Sequence, residues 1–507
     1  MKRSVLVGLF IAAVTGLVGF GGMSAQARGR GPAPSPSPSA PVAVPTASPE
    51  PPSIAIPRLI AKIKANPNDQ QALTDLALQY LGLSRPDLSL PITQHLLQLG
   101  DKTAQVYYFD GTANENLGKT SAAISDYEQA SNIDPTNIGV LGALTSAYLR
   151  TNRNPDAERV AKRAVTFNKD DARAYINLGL VYATEKKFDD ARTQFEESFK
   201  LAPTDPTPLL QAAQTYVVQN SIPNALAMID RAIAVDPKNI QALVFKGDVY
   251  AKSHDVANAS AAYDVAIAAG TSDDQKVALI DHKAAFLALE KQFPTAEAAY
   301  QQAIAQYPKV SSAHVAFGDY YANGNHFDRA QQQWLTALSI NKDDTQALGR
   351  MGEYKLRTAK ISDTVGYLKH LTDIAPDGPS LAELGQAYTQ LHDYAQAKDA
   401  CRKSYQAQPS PETLGCIAGA DFELKNFKEG AQVFDFLDKN VPQFLNQNPQ
   451  LLFIMGKCYE QTHQKPKALG TYKRLLGLMK KNSAGYKQVG QLIAQLSGPA
   501  PKGKVKH

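Results

Sequence analysis

Gly118, Lys119 and Thr120 stand in the order used by a phosphate-cradling loop. That loop also needs an earlier glycine, where Ala113 stands here, and a strand leading into it. The residues before Gly118 carry helical patterning instead, so nucleotide binding is not expected. The nine histidines are scattered and do not cluster with carboxylates, as a metal site or a general base would require. The three cysteines, Cys401, Cys416 and Cys458, are too few for a four-thiolate metal site or a disulfide-rich scaffold. No histidine supports any of them as a nucleophile. Nowhere do a base, a nucleophile and an oxyanion site come together. Neither an enzyme nor a bound cofactor or metal is expected.

Composition narrows the classes further. The 507 residues include 53 basic and 48 acidic side chains, a net charge of +5. So even a balance excludes a protein built around neutralising phosphates, and no nucleic-acid partner is expected. A single tryptophan argues against an aromatic-lined sugar cleft.

The chain starts with Lys2 and Arg3, continues through an uncharged run from Val5 to Phe20, and reaches Ala25-Gln26-Ala27. That order predicts a signal peptide over residues 1–27. The run is short of the ~20 apolar residues that span a bilayer, although an uncleaved anchor is the alternative. Either reading places the rest outside the cytoplasm, in the periplasm, at the cell surface or secreted. Residues 28–57 hold ten of the 31 prolines. This composition predicts an extended spacer.

Beyond the spacer the chain repeats with a period of 34. Tyr148, Tyr182, Tyr216 and Tyr250 keep this step, as do Ala123, Ala157, Ala191, Ala225 and Ala259. Gly111, Gly179 and Gly247 recur at twice the step. Within 172–205, Tyr175, Leu178, Gly179 and Tyr182 form one helical face, and Phe188, Ala191, Phe195 and Phe199 a second. A polar turn at Glu185–Lys187 separates them, and Pro203 ends the second. Each unit is therefore a helix–turn–helix that must stack on its neighbours to bury its apolar faces.

The combination of an aromatic, Leu-Gly, Tyr, Ala, a second aromatic and a closing Pro resembles the tetratricopeptide repeat family. Tyr175, Leu178-Gly179, Tyr182, Ala191, Phe195 and Pro203 carry it most fully. Other units repeat it through Phe317-Gly318, Tyr321, Ala330 and Trp334, through Leu384-Gly385, Tyr388, Ala397 and Pro409, and through Met455-Gly456, Tyr459, Ala468 and Tyr472. The resemblance implies an all-α solenoid of about twelve helix pairs over 70–482 forming a right-handed superhelix. Residues 274–276 and 443–448 read as small insertions. A capping helix is expected at 58–69, opening at Pro57, and another at 483–496, before a basic disordered tail at 497–507.

On that frame the chemistry-bearing residues acquire plain places. His254, His392 and His463 share one turn position in separate units, and His326 lies one residue along, so they are solvated turn residues. His314 and Trp334 take core places. Cys401 and Cys416 fall on helices that pack together in such stacks, where a disulfide and a pair of buried thiols are both compatible. Arg28, Arg30, Lys502, Lys504 and Lys506 read as solvated ends.

The resemblance also implies that the first helix of each pair lines an inner groove. Leu78, Leu81, Tyr108, Ile176, Leu180, Leu210, Val217 and Val218 give its N-terminal part an apolar character. Asp248, Asp281, Asp319, Glu353, Glu412 and Glu423 make its later part acidic. The expected function is a non-catalytic protein-interaction scaffold in the cell envelope. It would hold a protein or peptide along this groove. A scaffold subunit of a secretion or exopolysaccharide-export assembly is the alternative.

Overall fold

The 34-residue period sets helix boundaries through its capping residues. The residue before each first helix is repeatedly a short polar one. Asp69, Asn137, Asn239 and Asp377 accept from the backbone N–H of Ala72, Val140, Ala242 and Ser380 at 2.7–3.2 Å. Each bond satisfies an N–H that the helix leaves open. The turn inside each pair also repeats. Ser84, Asn152, Lys186, Asn220 and His254 all have φ between 55° and 62°. There the chain reverses through hydrogen bonds such as Lys187 N–H to the Tyr182 carbonyl at 2.8 Å.

The computed structural model describes residues 50–498 except 359 and 482. The segment read as a signal peptide, most of that read as a spacer and most of that read as a C-terminal tail lie outside them. The described residues are helical, with no strand among them. Paired helices such as Ala172–Thr184 with Phe188–Leu201, and Ile240–Lys252 with Val256–Ala269, follow one another. Within each unit, successive helices pack in chain order, as Phe188–Leu201 does on Thr207–Val218 and Tyr394–Ala407 on Pro411–Glu423, in the manner of a solenoid. The chain forms two compact units, one ending at Ala296 and the other starting at Glu297.

Small residues decide how closely paired helices approach. A Cβ added to Gly179 would lie 2.5 Å from the Phe195 ring, and at Gly318 it would lie 2.5 Å from Trp334. The aromatic of the second helix thus lies directly on the glycine of the first. In the first unit Tyr127, Leu141, Tyr148 and Val160 are buried in a shared core. In the second, Phe434, Leu452, Tyr459 and Tyr472 do the same.

One boundary differs from expectation, and the two insertions take definite forms. The N-terminal cap is the helix Pro52–Ala65, which starts inside the segment read as spacer and keeps Pro57 in its interior. Pro52 sits in its first turn, where a missing N–H costs nothing, and Ala55 and Leu59 bury against Ala72 and Leu76. Residues 274–276 do not bulge out. They lengthen the next helix to Asp273–Leu289, capped by the Ser272 hydroxyl. The insertion at 443–448 is largely the short helix Pro442–Gln447, whose Leu445 is fully buried. The C-terminal cap is Ala484–Ser497.

Candidate interaction surface

The apolar groove residues divide into three sets. Tyr108, Leu210 and Val217 are core: they are 6%, 8% and 0% exposed. Tyr108 stacks near Phe109 and Tyr127, with ring centroids 6.1 and 5.9 Å away. Leu210 and Val217 join Leu209, Ala225 and Ile229. These three are therefore corrected from groove to core: neighbouring helices close over them. Leu78, Leu81 and Leu180 are half-buried against the core clusters, and Ile176 is half-buried. Val218 is open to solvent.

Two of the acidic residues are corrected too. Asp248 is not a free groove carboxylate. It accepts from the Tyr263 hydroxyl at 2.7 Å and contacts His282 Nε2 at 2.8 Å. Tyr263 belongs to the second helix of the same pair and His282 to the first helix of the next. The His282 ring meets Tyr263 edge-on at 5.1 Å. Burial alone would lower the His282 pKa, but the hydrogen bond and charge of Asp248 outweigh it and raise the value. Asp319 repeats the device in the second unit. It accepts from Trp334 Nε1 at 3.1 Å and from Arg350 Nε and Nη2 at 2.8–3.0 Å. Arg350 is likewise raised, because Asp319 outweighs the cost of burial. Both carboxylates close joints between successive pairs. Glu412 and Glu423 are exposed.

At the equivalent place between the pairs starting at 378 and 411, the joint is covalent. Cys401 and Cys416 form a disulfide, of the two arrangements the sequence left open. Cys401 is buried, whereas Cys416 is only half-buried. A buried ion pair between Lys398 and Asp421 spans the same two helices. Cys458 is a buried thiol whose pKa burial pushes up to about 12, so it stays protonated and unreactive near neutrality.

The histidines fall where the period places them. His254, His392 and His463 occupy left-handed turn positions, and His326 caps a helix. His314 is half-buried, with Nδ1 2.7 Å from Gln333 Oε1. No group of three potential metal ligands occurs among the described residues.

Two features went unread in the sequence. Asp110 and Asp126 converge on Asn114, which donates to them at 3.2 and 2.8 Å. Thr93 also donates to Asp110. Burial and the neighbouring Asp110 push Asp126 up to about 6. A cleft of about 410 Å³, lined by both charged and apolar side chains, lies between Phe188–Leu201 and the next pair. In it Arg192 stacks 4.2 Å over Tyr216 and donates to Gln219 at 2.7 Å, while Arg231 grips Glu196 through both nitrogens. These cations are already engaged by the fold.

Comparison with known proteins agrees with the repeat. Models of the tetratricopeptide repeat match residues 117–178, 172–205, 210–274 and 378–411. Among solved structures the chain is similar to YrrB, described as a tetratricopeptide repeat protein with an unusual peptide-binding site. The two share 23% identity over 36% of this chain and 95% of that one, with a TM-score of 0.30. It is also similar to TTC0263, a tetratricopeptide repeat protein of Thermus thermophilus, at 22% identity over 36% and 98% of the two chains, TM-score 0.32. A repeat protein of Parabacteroides merdae matches at 18% identity over 44% and 88%, TM-score 0.37. No curated protein matches significantly.

Proposed function

Since this chain is a tetratricopeptide repeat protein, we propose that it holds a protein segment against the first helices of its N-terminal unit, in the cell envelope. Tetratricopeptide repeats make a protein-interaction scaffold, and the fold is generally non-catalytic. The observation that carries the finer reading is the apolar side chains left at the surface of the helices Ala172–Thr184 and Thr207–Val218. Ile176 and Leu180 are half-buried and Val218 is exposed, so each keeps apolar surface open to a partner. An extended or helical segment with apolar anchors suits such a face. Two features support the envelope: the basic-then-apolar start of the sequence, and the Cys401–Cys416 disulfide, a bond that persists in oxidising compartments. A place in an export assembly would be one form of the same scaffold role, told apart by the partner's identity.

Site-specific photocrosslinking in living cells tests this reading. A crosslinker replacing Ile176 or Val218 is expected to trap one discrete partner, and one replacing the exposed Arg159 on a second helix is not. Equal yields from all three positions would remove the groove from consideration. Val217→Asp is unsuitable as a probe, because it would bury a charge in the core.

A further inference from the structure

The near-even charge of the whole chain conceals a strong local imbalance. Glu460 is the last acidic residue; residues 461–507 carry ten lysines and arginines and no aspartate or glutamate. Removing those ten from the 53 basic residues leaves 43 against 48 acids in residues 1–460. The cations are therefore concentrated in the last stretch of the sequence. Lys467 and Arg474 are tied back to Asp435 and Asp438. Lys465, Lys473, Lys480, Lys481 and Lys487 are exposed and make no ion pair among the described residues.

Their setting separates this patch from an ordinary solvated face. Leu478, between Lys473 and Lys480 in the sequence, has 47% of its surface open. Gly470 and Gly477 lie on the outer side of the same helix, and Gly490 on the capping helix. A Cβ added at any of the three would meet nothing within 4 Å. At Gly456, by contrast, it would lie 2.3 Å from the Tyr472 ring. Glycine in a helix costs about 1 kcal/mol against alanine, and here no packing contact offsets it. What these glycines do provide is helix surface with no side chain in the way, where a bulky anion can approach the backbone.

We propose that the last two helices, Lys465–Leu478 and Ala484–Ser497, form a docking surface for an anionic phospholipid bilayer. The lysines meet the headgroup phosphates and Leu478 enters the headgroup–acyl boundary. A cluster of four to eight cations beside an exposed apolar side chain is the chemistry that anionic membranes recognise. Nucleic acid fits less well, because no aromatic ring is free to stack on bases: Tyr472 is buried and Tyr486 half-buried.

Co-sedimentation of the full-length protein with vesicles tests the proposal. One vesicle set is neutral phosphatidylcholine; the other contains about 30% phosphatidylglycerol. Partition onto the anionic set is expected to exceed partition onto the neutral set, and to fall steeply between about 50 and 200 mM salt. Each cation near such a surface is worth about fivefold in partition. The quadruple variant K473Q/K480Q/K481Q/K487Q is therefore expected to lose roughly 600-fold, with an unchanged circular dichroism spectrum. Leu478→Ser is expected to lose severalfold at every salt concentration. Equal partition onto both vesicle sets would overturn the proposal, as would a quadruple variant that binds like the parent. Preference for polyglutamate or single-stranded DNA over anionic vesicles would overturn it too.

Discussion

Two joints in this molecule occupy equivalent places and are closed by different chemistry. Tyr263 and Cys401 stand at the same offset from pair starts at 240 and 378, and His282 and Cys416 each lie seven residues before the end of the first helix that follows. At the first joint Asp248 gathers Tyr263 and His282 through hydrogen bonds. At the second the two sulfurs are bonded directly. Even the glycine beneath is matched: a Cβ on Gly247 would lie 2.3 Å from Tyr263, and one on Gly385 would lie 2.3 Å from Cys401 Sγ. The backbone geometry of the repeat leaves a socket at this place and does not specify what fills it. A hydrogen-bonded filling answers to pH; a covalent one answers to the redox state of the surroundings.

The largest expected effect comes from breaking the covalent joint. The bond closes a loop with a sequence separation of 15, so removing it should cost about 3 kcal/mol on the chain-entropy model. Denaturant unfolding of Cys401→Ser/Cys416→Ser should show that loss, and dithiothreitol should produce it in the parent protein without further harm to the variant. Gly247→Ala tests the socket itself. The methyl group would force Tyr263 off its seat, at about 1–3 kcal/mol, and a lowered melting temperature would report it. Gly477→Ala should have the opposite sign, because its Cβ enters open space. A gain of up to about 1 kcal/mol is expected there. The smallest effect is a pH dependence at the hydrogen-bonded joint. The His282 pKa is raised on folding, so its stabilising contribution is complete below the ordinary histidine value. It fades as pH rises through the raised folded value. Asp248→Asn should lower the His282 titration midpoint, read by NMR, and flatten that part of the stability profile.

Much of the fold was legible because its determinants are local and repeated. Gly179 and Phe195, or Asp69 and Ala72, are fixed by positions within one unit or at its edge, so a period of 34 exposes them. The Pro-rich stretch misled at its end: Pro51 and Pro52 open a helix, because proline is harmless in a first turn and Ala55 and Leu59 have a core to join. The groove was less legible. Which side of a first helix stays open depends on how far the next pair rotates over it, and offsets within one unit do not carry that rotation. Val217 is therefore covered while its neighbour Val218 is open. The acidic joints did leave a trace in the sequence. Asp248 precedes Tyr263, and Asp319 precedes Trp334, by the same 15 residues, which puts each carboxylate opposite a ring that can donate to it.

The Cys401–Cys416 bond also has a mechanical side. A chain pulled from its two ends lengthens as helices unravel, each released residue adding roughly 3.5 Å. The residues between the two sulfurs cannot contribute, so on the order of 50 Å of contour length is withheld. Load would then pass from one helix pair to the next through the sulfur bridge, while the hydrogen-bonded joint at Asp248 would yield and later re-form. Under stretch the molecule would behave as an array of reversible latches with one rivet.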